Sequence, residues 1–187
     1  MIEALGGLGY EDSTPLGFES RALLPEGPAL ARLNGEIAEV LVADASLDEQ
    51  RPPHVEAKHD EEHALAQDLQ RVEFKVNVLI QLAARLLKRD EGVPPVRHWR
   101  LHGAGLEWLV TDDAPAQGPG LVSLYVSRNF PQPLVLPGQV AGTREDASGR
   151  WAQFRFEGLT PVVAELLEKL IFRHHRRAVA GTRGLGR

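Results

Sequence analysis

RLHGAGLEW, residues 100–108, sets two glycines around one alanine, with an apolar stretch (Leu106, Trp108, Leu109, Val110) directly after it. This predicts a tight turn between two strands, VRHWRLH (96–102) and GLEWLVT (105–111). Arg100 and His102, just ahead of the turn, are also placed to meet an anion. The stretch therefore reads either as a plain hairpin turn or as a ligand-binding turn, and the rest of the chain has to decide.

Downstream the texture stays that of strands. GLVSLYVS (120–127), LVLPGQVAGTRE (134–145) and GRWAQFRFEG (149–158) follow, each bounded by Gly, Pro, Asp or Asn. Short strands at regular spacing predict a small barrel or sandwich. Pro137 inside the fourth run predicts an edge strand or a bulge. Trp99, Trp108 and Trp151 fall on strands, where packing is their expected role. Thr160-Pro161 then opens a helix, with Thr160 as N-cap and Pro161 in the first turn. Val163, Leu166, Leu167, Leu170 and Ile171 form its expected buried face, and Gly181 and Gly184 mark a loose end. The closing segment 173–187 carries five Arg and two His with no acid.

Upstream of the hairpin the pattern is helical. Residues 1–25 read as an N-terminal tail with a short strand at GFESRALL (17–24). Leu30, Leu33, Ile37, Val40 and Leu47 then form one helical stripe broken only by Asp44, and Pro52–Pro53 end the helix. A second helix is predicted from Asp60 to Arg89, roughly 45 Å long at 1.5 Å per residue. Its stripe is Leu65, Leu69, Val72, Val76, Leu79, Ala83 and Leu86, an unbroken alternation of four and three. That is a heptad seam, with Leu69, Val76 and Ala83 at a and Leu65, Val72, Leu79 and Leu86 at d. Ile80, Leu82 and Leu87 widen it beyond a two-stranded coil, so either more than two helices meet there or the first helix covers its flank. The length of the helix favours self-association through this seam. The expected organisation is a tail (1–25), a helical oligomerisation element (26–91) and a strand-rich domain with a C-terminal helix and basic end (92–187).

Composition narrows the function. The chain has 187 residues, 43% hydrophobic and 25% charged, as a soluble globular protein does. A formal net charge of −5 gives no general bias toward nucleic acid or anionic membranes. With no cysteine there is no disulfide, zinc finger or thiol nucleophile. The start MIEALGGLGYEDSTP has no basic residue or apolar run of a secretory signal, and VLIQLAARLL is too short and too polar to span a bilayer. A cytoplasmic location is expected. His59 and His63 stand at i and i+4, but no third ligand accompanies them, so a solvated polar first turn is expected and no metal site. No serine has a nucleophile-elbow context and no glycine loop opens a helix as a phosphate cradle. No cofactor and no enzymatic activity are expected.

A hairpin with a glycine turn, three further strands, the phrase QFRFEGL (153–159) and an amphipathic helix ending LLEKLIFRHHRR (166–177) together resemble the PilZ domain. The resemblance spans 96–177. It implies an α+β fold, a small six-stranded antiparallel β-barrel with a C-terminal helix, in a family many of whose members are bacterial receptors for cyclic di-GMP. The heptad helix ahead of it is similar to an atypical, tetramer-forming branch, which implies a homotetramer. Receptors of the family carry Arg-x-x-x-Arg before the barrel and Asp/Asn-x-Ser-x-x-Gly in the hairpin. Aligned on Gly105, the second motif here is Arg100-x-His102-x-x-Gly105. A donor-only guanidinium stands for the acid or amide, and an imidazole for the serine. Arg85–Arg89 and Arg173–Arg177 have the spacing of the first motif, one in the helix tail and the other beyond the barrel. The resemblance thus implies a non-enzymatic signalling adaptor with a protein partner, assembled through its helices, in which cyclic di-GMP is not bound through the usual motifs. The alternative is a receptor with a rearranged site built from Arg100, His102 and the C-terminal arginines. A metal-dependent hydrolase using His59 and His63 is the reading from another class.

Overall fold

The computed structural model describes residues 7–49, 92–126 and 132–184, together with Val72, Val76 and Leu79. Among the described residues are six antiparallel strands: β1 (Gly9–Ser20), β2 (Val96–His102), β3 (Gly105–Leu109), β4 (Gly118–Leu124), β5 (Leu134–Asp146) and β6 (Gly149–Phe156). Helices α1 (Gly27–Glu49) and α2 (Pro161–Gly184) accompany them, and Val72, Val76 and Leu79 are helical too. The strands close into a barrel in the order β1-β2-β3-β6-β5-β4.

Closure depends on β1, which corrects the reading of residues 1–25 as a tail. Its first half pairs with β2, from Gly9↔His102 to Pro15↔Val96, and its second half with β4, from Leu16↔Leu124 to Ser20↔Gly120. Pro15, which has no N–H to donate, stands where the strand leaves one neighbour for the other, so its missing donor interrupts neither ladder. The barrel therefore draws on both sides of the helical element rather than beginning at residue 92.

Pro137 is likewise placed where it does no harm. The edge expected there is absent, because β5 pairs with β4 and β6, and the register shift lies between Val140 and Gly142. The Pro137 carbonyl accepts from Glu157 N–H at 3.0 Å, just past the Gly138↔Phe156 end of the β5–β6 ladder. Main-chain groups of one strand residue point to the same neighbour, so the absent N–H would also fall beyond that ladder. Next to it, a Cβ on Gly138 would lie 2.0 Å from the Arg155 carbonyl oxygen, which only glycine avoids.

The barrel is filled by alternate residues of every strand. Leu16, Trp99, Leu101, Leu106, Val122, Leu124, Leu134 and Phe154 are fully buried. Trp99 satisfies its indole N–H on Thr14 Oγ1 at 2.9 Å. Helix α2 packs against β1 and β2 with Val163, Leu167, Leu170 and Ile171 buried, and α1 packs on α2 and β5. The expected cap is present, since Val163 N–H points at Thr160 Oγ1 at 3.4 Å. The break at Asp44 in the α1 stripe is also explained: the buried carboxylate meets Arg173 of α2 at 3.3 Å. The predicted pairing of α1 with a helix at 60–89, and the candidate pair His59 and His63, lie outside the described residues.

Buried Asn34 ties α1 to the link between β6 and α2. Its amide donates to the carbonyls of Leu30 and Gly158, both at 3.0 Å, and its oxygen accepts from Thr160 N–H at 2.8 Å. Gly158 has φ +76°, and a Cβ there would come within 3.0 Å of Leu30. Asn34→Ala removes three part-buried hydrogen bonds at this junction, and urea unfolding is expected to show a loss of about 1–3 kcal/mol. An unchanged midpoint would contradict that role.

Candidate functional site

Arg100 leaves the barrel on its outer face. The strand period of two sends Leu101, Leu106 and Phe154 inward, as one row across β2, β3 and β6. It sends the next row, Arg100, Glu107 and Gln153, outward. On β5 and β6 the pair Arg144↔Trp151 lies on the same face.

Trp151 is 0% exposed, yet it is not part of the barrel's hydrophobic core. Polar groups cover it. The Arg100 guanidinium lies 4.0 Å from its ring centroid and that of Arg144 5.8 Å. His98 meets it edge-on at 5.5 Å. Guanidinium over an indole face is a favourable, weakly hydrated contact, so the two arginines seal an aromatic ring that would otherwise face water.

Both arginines are occupied by carboxylates. Arg100 Nε donates to Glu11 at 3.1 Å and its Nη1 to Asp146 at 3.0 Å. Arg144 grips Glu107 with two bonds, 3.0 and 2.6 Å, and donates a third to Asp146 at 3.1 Å. Gln153 Nε2 adds a bond to Glu107 at 2.7 Å. Asp146 also accepts from the Trp151 indole at 2.9 Å and from Ser148 N–H at 2.8 Å. Two guanidiniums thus meet three carboxylates, those of Glu11, Glu107 and Asp146.

The protonation states follow. Burial pushes the Glu107 carboxyl up, but the hydrogen bonds from Arg144 and Gln153 outweigh it and hold the group below its ordinary value. Asp146 is held far below the usual carboxylate range, first by the Trp151 indole and then by Ser148 N–H. Arg144 is raised, chiefly by its bond to Glu107.

The other candidates are placed as follows. His102 pairs with Gly105 across the hairpin, but its ring packs on Gly9, where a Cβ would lie 2.6 Å from Nδ1. That nitrogen is buried with no hydrogen-bond partner, and burial lowers the imidazole pKa. The turn itself, Gly103–Ala104, borders an open groove of about 740 Å³ shared with Leu8, Phe172, Glu165 and Glu168 of neighbouring segments. Carboxylates line this groove, and its Lys169 is paired with Glu165 at 2.7 Å. In the C-terminal Arg-x-x-x-Arg, Arg173 faces Asp44, and neighbouring His174 stacks on Tyr10 at 4.4 Å. Among the described residues no cluster of three metal-ligating side chains occurs, and no helix is long and apolar enough to cross a membrane.

Of the seam residues, Val72, Val76 and Leu79 are helical and are 54%, 47% and 63% exposed in the single chain. Leu65, Leu69, Ala83 and Leu86 lie outside the described residues, as does Arg85–Arg89. Sequence reasoning found Arg100 but not Glu107, Arg144, Asp146 or Trp151. The signal was there in part, as polar residues at alternate strand positions; the register that joins them was not.

A solved structure from Xanthomonas campestris, described as a pathogenic protein with a tetrameric PilZ domain self-assembled via an unusual helical bundle, superposes with a TM-score of 0.71 at 24% identity. The match covers 95% of this chain and 93% of that one. No curated protein matches the chain. The family model for the atypical PilZ domain, described as a cyclic di-GMP receptor, matches residues 41–184, so it takes in the heptad segment as well as most of the barrel. With this fold, and with most of its length inside that match, the chain belongs to the atypical PilZ domain family.

Proposed function

We propose that this chain is a non-enzymatic, cytoplasmic signalling adaptor of the atypical PilZ family. It assembles as a homotetramer through the helical element 26–91 and does not bind cyclic di-GMP through the usual motif positions. The observation that carries this reading is the fate of Arg100. The group that stands where a receptor would recognise the ligand is bound to Glu11 and Asp146 and laid over Trp151. His102, two residues on, is packed against Gly9 with its Nδ1 buried. Arg100 has no acceptor to offer a guanine edge and its charge is already met by carboxylates, and the Nδ1 of His102 is buried away from any ligand.

Assembly is supported by the exposed apolar side chains at three consecutive heptad positions and by the tetramer named for the Xanthomonas campestris protein. Side chains of this size stabilise by about 1.5–3 kcal/mol each when buried, so a seam left in water is costly. Static light scattering on the full chain is expected to give four times the chain mass. A monomer at micromolar concentration would remove the assembly reading.

The family description favours a second reading, a cyclic di-GMP receptor with a rearranged site that uses Arg100, His102 and the C-terminal arginines. In that case ligand binding has to break the Arg100–Asp146 contact.

A further inference from the structure

Asp146 lies in a cradle of four donors drawn from four places in the chain. One carboxylate oxygen accepts from Arg100 Nη1 of β2 at 3.0 Å and from Arg144 Nη1 of β5 at 3.1 Å. The other accepts from Trp151 Nε1 of β6 at 2.9 Å and from Ser148 N–H of the β5–β6 turn at 2.8 Å. Each oxygen thus takes two bonds, the full complement of an ionised carboxylate.

Three of these donors are held in place without Asp146. Arg100 is anchored by Glu11 and by its stack on Trp151. Arg144 is anchored by the two-bond grip on Glu107, whose side chain is only 1% exposed. Trp151 is fixed by strand pairing with Leu109 and Arg144. The site also reaches solvent, because the Asp146 side chain is partly exposed and the turn that carries it, Ala147 and Ser148, is exposed.

We propose that this cradle is an oxyanion-binding site whose occupant is the chain's own Asp146 carboxylate, and that a free carboxylate takes its place when that side chain is removed. The chemical class is set by the donors: a group with two charged oxygens, each accepting from two sides. A carboxylate fits with the charge already present there. A phosphate offers the same two oxygens with more charge. In the native chain the site is closed by charge as well as by space, since a further anion would join three carboxylates around two guanidiniums. Opening it requires the partly exposed Asp146 side chain to leave its four donors. The inference shares Arg100 with the function proposed above, yet the two fail separately: the test here uses simple anions, and that of the proposed function uses the dinucleotide.

The test compares full-length wild type with Asp146→Ala in sodium acetate, sodium phosphate and sodium chloride at equal ionic strength. For Asp146→Ala, acetate is expected to raise Tm in a saturable way, as a ligand bound only by the folded state does. The Trp151 indole N–H resonance should shift along the same curve. Chloride should do neither, and wild type should be indifferent to all three salts. A response to phosphate as well as acetate assigns the site to oxyanions in general; a response to acetate alone assigns it to carboxylates. A folded Asp146→Ala indifferent to both anions overturns the proposal, as does a wild type that responds equally. If Asp146→Ala is unfolded in chloride, recovery of native circular dichroism in acetate supports the proposal and failure to recover overturns it.

Discussion

If the chain assembles as proposed, replacing Val76 and Leu79 together by glutamate is expected to give smaller species than wild type on light scattering while the barrel stays folded. Both side chains are helical, three residues apart at successive a and d positions, and 47% and 63% exposed in the single chain. They make no part of the barrel core. Each contributes about 1.5–3 kcal/mol if the seam buries it, so losing both removes about 3–6 kcal/mol per chain. At 1.4 kcal/mol per factor of ten, that weakens association by roughly two to four orders of magnitude per chain. Glutamate adds the cost of placing an unpaired charge in an apolar seam. An unchanged mass would place the assembly surface elsewhere.

Glu107→Ala is expected to give the largest loss of stability on the outer face. It breaks the two-bond grip on Arg144 and removes the bond that Gln153 donates to the buried carboxylate. Breaking a buried charge pair from one side costs about 3–5 kcal/mol, a large share of the 5–15 kcal/mol by which domains are stable. For a chain of this size that is a drop in Tm of roughly 6–20 °C, readable by calorimetry. The pH dependence has a definite sign. The folded Glu107 carboxyl titrates below its unfolded value, so its contribution is complete above the unfolded pKa of about 4.3 and is lost as pH falls through the folded one. The stability gap between wild type and Glu107→Gln should therefore close as pH falls below about 4. A gap that stays constant to low pH would mean that the charge on Glu107 contributes nothing.

The hairpin at 96–109 and the helix from Pro161 were legible because their signals are local. A two-residue turn at Gly103–Ala104 and a Thr-Pro start need nothing from the rest of the chain. Strand β1 was misread because GYEDSTPLGFES has the glycine and proline content of a tail. Only the change of partner at Pro15 shows why a proline is tolerated in mid-strand. Pro137 misled in the same way, since its harmlessness depends on where the neighbouring ladder ends. At the site, the sequence singles out Arg100 by its place just ahead of the glycine turn. It does not single out the partners, because Glu11 and Asp146 lie 89 and 46 residues away and are joined to it by barrel register alone. The expected packing role of Trp151 leaves its covering unspecified: alternation along β6 puts it on the outward face with Gln153, and the arginines over it come from β2 and β5 through register alone.

On the proposed reading, the recognition position of this PilZ domain is filled from within, by Glu11 and Asp146 on Arg100. Calorimetric titration of the full-length protein with cyclic di-GMP tests it most directly. No heat of binding beyond dilution is expected. Micromolar binding that Arg100→Ala abolishes would contradict that reading, because Arg100 would then be a ligand residue that leaves Glu11 and Asp146 for the dinucleotide.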